Sequence, residues 1–507
     1  MPLQVINTLV DIFIEKIRPQ YPFYDEETLN SFRQSVIHPG AEDSEEPRAK
    51  VSHFAVSMMM AISVMTSRTT DLVKQSVLAE SLYRDALLYY DRLGPSTLTK
   101  LQCTMLLVLY SIFRPGDVNI WNVKSLAMRL AVAMGLHRET CGVDDAFDDS
   151  TADLRRRIFW TLYYWDRAIS ISSHRPLGIA DNHIDVSLPC VPAGDRVTAR
   201  FVRSLTLRQI QSEVYSVNFF GKSLGDTPYE TWVEATEQRL SSWADEVTSL
   251  GDHGFDFFEF IISTVLLHLH RPSQARPVLG ENAVLACFDA AASILQGYWR
   301  MIVRGFLKYD WHMAHQAFEA GIVVLYVLRH YKTVLESHRT TATILEVVNG
   351  FTNVFMLLSR RWPASINVEE TYERIKIKVL KQFLAGRSSE AARLENDELD
   401  RLVRWDAHPC MYTASEEEKI HQGAFSFQSH SQEHDLGFLS STQNPQLLGV
   451  PATSLNSTLT IHVFDPLRTN PVVANQDFTE MADFCDIDWN TARLEAFTDP
   501  SFLHWAM

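Results

Sequence analysis

Apolar residues recur every three or four positions along most of this chain, which is the spacing of one face of an α-helix. The pattern is clearest in residues 98–189, where three predicted helices follow one another. The first carries its apolar face over 98–112, and the second, over 120–134, ends at Gly135, a residue suited to a helix terminus. The third, over 150–169, opens with a capping box. We predict that these three helices form the centre of the fold.

The same helical spacing continues on both sides of this central region, with few credible strands and no internal repeat. Further helices are predicted over 6–17, 54–65, 73–93, 198–219, 230–250, 255–269, 282–303, 312–329 and 341–361. Their unequal lengths favour an irregular multi-helix array over a symmetric bundle, so the predicted fold class is all-α. We divide the chain into an N-terminal half, 1–195, a C-terminal half, 196–410, and a tail, 411–507.

The tail differs from the rest of the chain in composition. It contains 13 Asp and Glu against 3 Lys and Arg, so it supplies −10 of the net charge of −16. Its middle part, 422–475, is rich in Ser, Thr, Gln and Asn. A segment of this composition buries too little apolar surface to fold alone, so we predict a largely disordered acidic tail.

One segment of the tail, 477–505, combines apolar and acidic residues. Its apolar members recur about every three residues and are Phe478, Met481, Phe484, Ile487 and Trp489. Acidic neighbours keep such a segment in water while its large side chains stay available for a groove on a partner. We therefore assign these residues as candidate coactivator-binding residues of an activation segment. The alternative is a terminal helix that docks on the protein's own helical body.

A series of short motifs runs through the helical part of the chain. They are Ala127 to Arg138, Arg155 to Trp160 with Tyr163, Asp166 and Arg167, Arg175-Pro176-Leu177, Ile184-Asp185, Leu188-Pro189, Leu267 to Pro272, and Phe318 to Gly321. Their ordered combination, over about residues 2–384, resembles the middle homology region of the fungal zinc-cluster transcription factors.

The resemblance implies a nuclear transcription regulator of the fungal-specific type. In that family the helical domain folds, dimerises or senses a small-molecule effector, and an acidic tail recruits transcriptional coactivators. Such proteins often control a metabolic or secondary-metabolite gene cluster. The expectation is therefore an activator that forms a homo- or heterodimer and has no membrane partner.

The six cysteines are spread along the chain at positions 103, 141, 190, 287, 410 and 485. A DNA-binding zinc cluster needs six thiolates within one short segment, and these residues contain no such arrangement. We expect no cofactor in this chain, and zinc only in a cluster upstream of it. Two explanations stay open: a regulator without the cluster, or a longer protein whose upstream segment carries it. DNA is then contacted either through that upstream segment or indirectly, through a partner subunit.

Charge gives little support to direct DNA binding by these residues, because a net charge of −16 opposes attraction to a polyanion. The densest basic run is Arg155 to Arg157, which shares the side of its helix opposite the apolar face with Asp166 and Arg167. We interpret this side as solvated, or as paired through Asp153 and Asp166. A short nuclear import signal is the alternative. The sequence opens without a basic leader and has no apolar run of membrane-spanning length, which predicts an intracellular protein. The nuclear location is what the resemblance implies.

Three patterns have the residue types of catalytic or metal sites, and we favour a non-catalytic interpretation of each. Gly-x-Ser-x-Gly at 221–225 matches a nucleophile elbow but lacks a strand before it. Asp-Asp-x-x-Asp within 144–149 matches the magnesium motif of terpene synthases but lies in a predicted loop. His312, His315 and Glu319 share a helical face but lack a further strong ligand.

We therefore predict no enzyme activity and no catalytic, cofactor-binding or metal-binding residues. A helical metal-dependent enzyme of terpene-synthase type is a disfavoured alternative. A cluster-less corepressor, or an inhibitor that pairs with full-length relatives, is the other alternative.

Overall fold

The computed structural model describes residues 1–38, 47–67, 72–90, 92–93, 97–139, 149–249, 255–303, 310–361, 365–385 and 397–404, and two short segments further on. The helices in these ranges are α1 (Leu3–Ile12), α2 (Glu26–Ile37), α3 (Pro47–Thr66), α4 (Leu72–Tyr90), α5 (Leu98–Phe113), α6 (Ile120–Ala133), α7 (Asp149–Ser172), α8 (Arg196–Phe220), α9 (Tyr229–Ser249), α10 (Phe255–His270), α11 (Glu281–Val303), α12 (Asp310–His330), α13 (Lys332–His338), α14 (Thr341–Arg361), α15 (Ile366–Ala385) and α16 (Asp397–Val403). A π-helical turn, Phe13–Ile17, extends α1, and a 3-10 turn, Asp181–His183, lies between α7 and α8. The predicted all-α fold class is confirmed.

Two strands of two residues each, β1 (Ala424–Phe425) and β2 (Ile461–His462), form an antiparallel pair. Ala424 lies opposite His462, and Phe425 lies opposite Ile461. These strands are all that the structure describes of the tail. The candidate coactivator-binding residues at 477–505 and the predicted disorder of the tail therefore lie outside the described residues.

Helix ends follow the local sequence. The side chains of Thr97, Asn119 and Asp195 each accept hydrogen bonds from backbone N–H groups in the first turn of α5, α6 and α8. Such caps satisfy donors that have no partner inside the helix. After α8, Gly221 has a φ of 65°, in the left-handed region that glycine enters without a steric cost. The third predicted helix begins at Asp149, one residue before its predicted capping residue.

The buried apolar side chains form two cores, and helix α8 contributes to both. The first core takes its side chains mainly from α1 to α7 and reaches Phe201 and Leu205 of α8. The second core begins at Leu207 of the same helix and continues to Val403 of α16. In addition, Trp311 of α12 packs into the first core although most of α12 lies in the second. The division at 195/196 stays a prediction, and the helix that begins there joins the two cores.

Two of the described helices, α3 and α14, are long and apolar enough to span a membrane by length and composition alone. The most apolar stretch of α3 is 72% buried inside the protein, and that of α14 is 39% buried. α3 packs against α2, α4 and α5, and α14 packs against α11, α12 and α15. Core packing accounts for the composition of α3 and for one face of α14. Neither helix is an unbroken apolar run in the sequence, because polar residues interrupt both.

A glycine in α12 tests the packing of the second core. A Cβ at Gly321 would lie 2.8 Å from Cε2 of Tyr372 in α15. That ring is buried and its hydroxyl donates to the carbonyl of Val348 at 2.9 Å, so it is held in place. Alanine gains about 1 kcal/mol over glycine in an open helix, but overpacking costs about 1–3 kcal/mol. Because the ring is held in place, we expect the overpacking cost to exceed this gain and Gly321→Ala to lower the free energy of unfolding by up to about 2 kcal/mol, measured from the urea midpoint.

The matched control is Gly116→Ala, at a turn where an added Cβ meets no atom within 4 Å. We expect its stability to stay within about 0.5 kcal/mol of the parent. A Gly321→Ala protein as stable as the Gly116→Ala protein would contradict the close contact between α12 and α15.

Candidate functional site

Two clusters of charged residues lie between the helices, and all of their side chains except that of Asp181 are buried. The Asp166 cluster consists of Lys124, Asp166, Arg167 and Asp181, and the Glu319 cluster consists of His174, His268, Arg271 and Glu319. A charged side chain leaves water only at a large free-energy cost unless it is paired. The geometry of these clusters therefore decides whether their charges are available for chemistry.

The Asp166 cluster joins three elements through one buried carboxylate. Asp166 Oδ1 lies 2.7 Å from Lys124 Nζ of α6, and Asp166 Oδ2 lies 3.0 Å from Nη1 of Arg167. The backbone N–H of Gly178 donates to Oδ2 at 2.9 Å. Arg167 also donates through Nη2 to Asp181 Oδ1 at 2.8 Å. The carboxylate of Asp166 thus has a partner on each side and is fully buried.

The second carboxylate of this cluster, Asp181, ties the 3-10 turn to α7 and α8. Its Oδ1 also accepts a hydrogen bond from the Tyr163 hydroxyl at 2.8 Å, and its Oδ2 accepts one from Ser212 Oγ at 2.6 Å. Burial lowers the pKa of Lys124, and attraction to Asp166 opposes that shift. The polar groups of the cluster thus form hydrogen bonds and ion pairs that hold the helices together.

A glycine is required beside Asp166. A Cβ at Gly178 would lie 2.7 Å from Asp166 Oδ1, closer than real Cβ contacts allow. The segment after α7 can therefore approach the carboxylate only because position 178 has no side chain. This close approach places the following turn, and with it Asp181, against Arg167.

The Glu319 cluster brings α10, α12 and α16 together with the end of α7. Glu319 Oε1 lies 2.9 Å from Nε2 of His268 and accepts a hydrogen bond from Nη1 of Arg271. Nε2 of His174 lies 3.8 Å from Glu319 Oε2. Arg271 also donates through Nη2 to the backbone carbonyl of Val403. The buried guanidinium thus connects α12 to the last turn of α16.

The neighbours of Glu319 keep its carboxylate ionised. Burial by itself would raise the pKa of Glu319, but attraction to His268 and Arg271 holds it well below its ordinary value. His174 reaches this position because its φ is 53°, the only positive φ of a non-glycine residue in the described ranges. The turn at the end of α7 therefore points its imidazole at the carboxylate.

The basic run at 155–157 forms separate ion pairs rather than a basic patch. Arg156 lies 2.6 Å from Glu139, and Arg157 lies 2.9 Å from Asp153. The predicted pairing through Asp153 is thus present, while the predicted pairing through Asp166 is wrong. Asp166 and Arg167 are fully buried rather than on a solvated side. The error arose because helical spacing alone does not show that a second helix covers the polar side of α7.

The three candidate metal ligands on α12 have separate environments. Nδ1 of His312 lies 2.9 Å from Ser172 Oγ, and the ring of His315 packs against Trp311 with centroids 4.5 Å apart. Glu319 belongs to the ion cluster described above. Within the described ranges, no group of three His, Cys, Asp or Glu residues has an arrangement that could hold a metal ion.

The two other catalytic patterns also find no support in the described geometry. The Gly-x-Ser-x-Gly sequence forms the connection from α8 to α9, preceded by a helix rather than a strand. Its Ser223 Oγ accepts a hydrogen bond from the backbone N–H of Gly225 at 3.1 Å. Of the acidic run at 144–149, only Asp149 is described, as the first residue of α7.

A cleft of about 340 Å³ lies beside the Asp166 cluster, between the 181–188 segment and helices α8 and α9. Trp160 and Val186 are among the apolar residues that line it, and Lys222 and Arg239 are its cationic residues. The sequence analysis named 184–189 as a motif but did not foresee a cleft. Its walls come from four regions of the chain, and no local pattern indicates that they meet.

The comparisons with known proteins agree with the motifs. Residues 10–244 match the family described as the fungal specific transcription factor domain. The pyrimidine pathway regulatory protein 1 of Saccharomyces cerevisiae is 25% identical over 318 residues, which are 55% of this chain and 34% of that protein. A positive regulator of purine utilization from Emericella nidulans is 22% identical over 377 residues, covering 56% of this chain and 35% of that protein. This chain thus spans about a third of the length of these relatives.

Two further comparisons concern regulation and fold. A negative regulator of pleiotropic drug resistance from Candida glabrata is 30% identical over 200 residues, covering 36% of this chain and 19% of that protein. A solved structure, titled as that of the K. lactis CBF3 core, superposes with a TM-score of 0.55 at 11% identity, covering 78% of this chain and 86% of that chain. At this identity the superposition shows a shared fold only.

Removal of the charge of Glu319 tests the role of its cluster. Glu319→Gln leaves the buried guanidinium of Arg271 without an anionic partner, which typically costs about 3–5 kcal/mol. We expect a loss of this size in the free energy of unfolding at pH 7, measured by urea denaturation. The control is Glu259→Gln in an exposed pair with Arg300, where we expect less than about 1 kcal/mol. Similar losses in both variants would show that the cluster does not hold the helices together.

The same variant has a predicted pH dependence. The pKa of Glu319 is lower in the folded protein than in the unfolded chain, so its stabilisation is complete above about pH 4.3. As the pH falls below that value, the unfolded chain binds a proton here first. Stability then falls by about 1.4 kcal/mol per pH unit from this residue. We expect the stability of Glu319→Gln to depend less steeply on pH below about 4.3, and an unchanged slope would contradict this assignment.

Proposed function

Because residues 10–244 belong to the fungal specific transcription factor domain family, we propose that this chain is a nuclear transcription regulator. The observation that carries this proposal is the match of residues 10–244 to that domain. The relatives named as regulators of the pyrimidine pathway and of purine utilization support it. The helical body serves as a regulatory domain, and its targets are genes of a metabolic or secondary-metabolite pathway. A nuclear location follows from the same role.

A non-catalytic role fits the described geometry. The carboxylates of Asp166, Asp181 and Glu319 are occupied by partners within the protein. Ser223 lies in a turn between two helices. The relatives reported above are named as regulators, so nothing in them supports an enzyme of terpene-synthase type.

We propose that the residues of this chain do not contact DNA themselves. Their net charge of −16 opposes attraction to phosphates, and the arginines at 155–157 are bound to acidic side chains and a backbone carbonyl of the protein itself. An upstream zinc cluster or a partner subunit would supply the contact. A homodimer or a heterodimer with a full-length relative would bring such a subunit into place.

The tail provides the contact with the transcription machinery in this proposal. Its charge of −10 keeps it in water, while Phe484 and Trp489 supply the large apolar surface that a coactivator groove binds. One relative is named a positive regulator and another a negative regulator, so the relatives leave both signs open. The acidic and aromatic composition favours activation over the corepressor alternative.

A reporter assay tests the tail directly. Residues 411–507 are fused to an unrelated DNA-binding domain, and reporter expression is compared with that of Phe484→Ala/Trp489→Ala. Large aromatic anchors contribute about 2 kcal/mol or more each to a protein–protein contact. We therefore expect strong activation by the parent and loss of most of it in the double variant.

The matched control is Phe464→Ala/Leu467→Ala, which removes an aromatic and an aliphatic side chain from the tail outside 477–505. We expect this control to activate as strongly as the parent. Absence of activation by the parent would refute the activator proposal and favour the corepressor. Equal loss in both double variants would refute the assignment to 477–505.

A further inference from the structure

One face of helix α15 is exposed to solvent among the described residues. Its large apolar side chains are Ile366, Ile377 and Leu384, with exposed fractions of 43%, 49% and 66%. Arg374 and Lys381 are exposed on the same face, because residues three or four positions apart lie next to each other on a helix. The opposite face of α15 packs against α12 and α14. The exposed face thus carries both apolar and cationic side chains.

The second half of the exposed face is cationic. Residues 374–384 include four basic residues and no acidic one, whereas the acidic residues of α15 lie within 369–373. Lys381 is exposed and makes no ion pair with any residue that the structure describes. Lys378, three positions before it, is half-buried and likewise has no ion pair within the described ranges. Two lysines on this face are therefore available to an acidic partner.

The other two basic residues are already paired. Arg374 donates through Nη2 to Oε1 of Glu398 in α16 at 2.8 Å. The buried Lys376 lies 2.7 Å from Oε2 of Glu373. The bond from Arg374 lowers the pKa of Glu398, and the charge of Lys378 adds to this shift. Arg374 thus balances the nearest acidic side chain of α16, so the charge of the two available lysines is in excess at this face.

Helix α4 offers a useful comparison, because it also exposes three large apolar side chains. They belong to Val73, Val77 and Leu88. The charges of α4 are balanced, with two basic and two acidic residues. Two of these, Arg84 and Glu80, lie 2.6 Å apart. Exposed apolar area is therefore present on both helices, but of the two only α15 combines it with an excess of positive charge.

The tail of the same chain contains a segment of complementary chemistry. Residues 477–490 include five acidic residues and no basic one. Phe484 and Trp489 are the largest of the apolar residues among them. An acidic and aromatic segment of this kind matches a helix face that presents lysines beside exposed apolar side chains. Because the segment belongs to the same chain, its local concentration at α15 is high and a weak contact suffices.

The connection between α15 and this segment is long enough for the two to meet. The described helical part ends at Arg404, directly after α16, which is itself bound to α15 through Glu398. The β1–β2 pair shortens the path through the tail, but residues 405–423 and 463–476 still provide 19 and 14 residues. Together they reach about 100 Å when extended, whereas a helix of the length of α15 spans about 30 Å. The segment can therefore reach every part of α15.

We propose that residues 477–490 dock on the exposed face of α15, with their acidic side chains near Lys378 and Lys381 and their apolar side chains on Ile377 and Leu384. Charge attraction selects this face, and burial of the apolar side chains stabilises the contact. The inference extends the proposed function, because the same apolar side chains cannot contact α15 and a coactivator groove at once. The docking itself does not require the tail to activate transcription.

Photo-crosslinking within the full chain tests the contact. The photoreactive amino acid p-benzoylphenylalanine replaces Phe484, and mass spectrometry identifies the residues to which it couples on irradiation. We expect crosslinks to 374–384 of α15. The same probe in place of Phe464, an aromatic residue of the tail outside 477–490, is the matched control and should not couple to α15. A mixture of isotope-labelled and unlabelled chains shows whether a crosslink joins residues of one chain or of two.

Charge reversal tests the role of the two lysines. Lys378→Glu/Lys381→Glu should lower the yield of the crosslink about fivefold or more, because attraction becomes repulsion. Asp486→Lys/Asp488→Lys in the tail should lower it in the same way, and the combination of both double variants should restore most of the yield. The control is the same reversal on α4, Lys74→Glu, which should leave the yield as in the parent.

The apolar part of the contact has its own pair of variants. Leu384→Ser removes the most exposed apolar side chain of α15 without changing a charge and should lower the yield of the crosslink. Val77→Ser removes a similarly exposed side chain of α4, with an exposed fraction of 62%, and should leave the yield unchanged.

Circular dichroism of each variant confirms that it is folded before irradiation. The proposal is overturned if the probe at Phe484 does not couple to α15, if its crosslinks join two chains, or if Lys378→Glu/Lys381→Glu gives the same yield as Lys74→Glu. Failure of the combined variant to recover the yield would also overturn it. The reporter assay uses residues 411–507 without α15, so failure of the docking and failure of the proposed function are distinguishable.

Discussion

The burial of Asp166 is the constraint on which the first half of the structure depends. A carboxylate at the centre of a helical array is destabilising unless cations and N–H donors surround it. Lys124, Arg167 and Gly178 supply that surrounding from α6, from α7 and from the segment that follows α7. These bonds fix each of the elements relative to the others. The segment 181–188, which includes the 3-10 turn, and the cleft beside it take their positions from this arrangement.

The second half uses the same principle with a different set of residues. Arg271 is buried between the carboxylate of Glu319 and the carbonyl of Val403, so one guanidinium holds α10, α12 and the short α16 together. A seven-residue helix would be only marginally stable alone, and its contact with the guanidinium compensates for that. His174 extends the cluster to the end of α7, which belongs to the first half. The two halves therefore meet through polar contacts as well as through the shared helix α8.

The sequence predicted twelve of the sixteen described helices, because helical periodicity is local, but it did not predict α2, α13, α15 and α16. It predicted the clusters poorly because their partners lie far apart in the chain: Lys124 and Asp166 are 42 residues apart, and Arg271 and Glu319 are 48 residues apart. The motifs that resembled a known family contained Asp166, Arg167, Arg271 and Glu319, yet a motif does not say whether its charges face water. The cleft was beyond prediction for the same reason, since its walls become neighbours only after folding. The GxSxG pattern shows the opposite case, where its local helical context sufficed to exclude an elbow.

The absence of a side chain at Gly178 also constrains how this sequence can diverge. Any larger residue at 178 would collide with Asp166, and replacement of Asp166 would leave Lys124 and Arg167 as buried cations without their shared anion. Single substitutions at these four positions are therefore selected against, whereas coordinated ones can restore neutrality and space together. Related chains should keep the four residues as a set or exchange them as a set. The four positions should therefore covary among relatives.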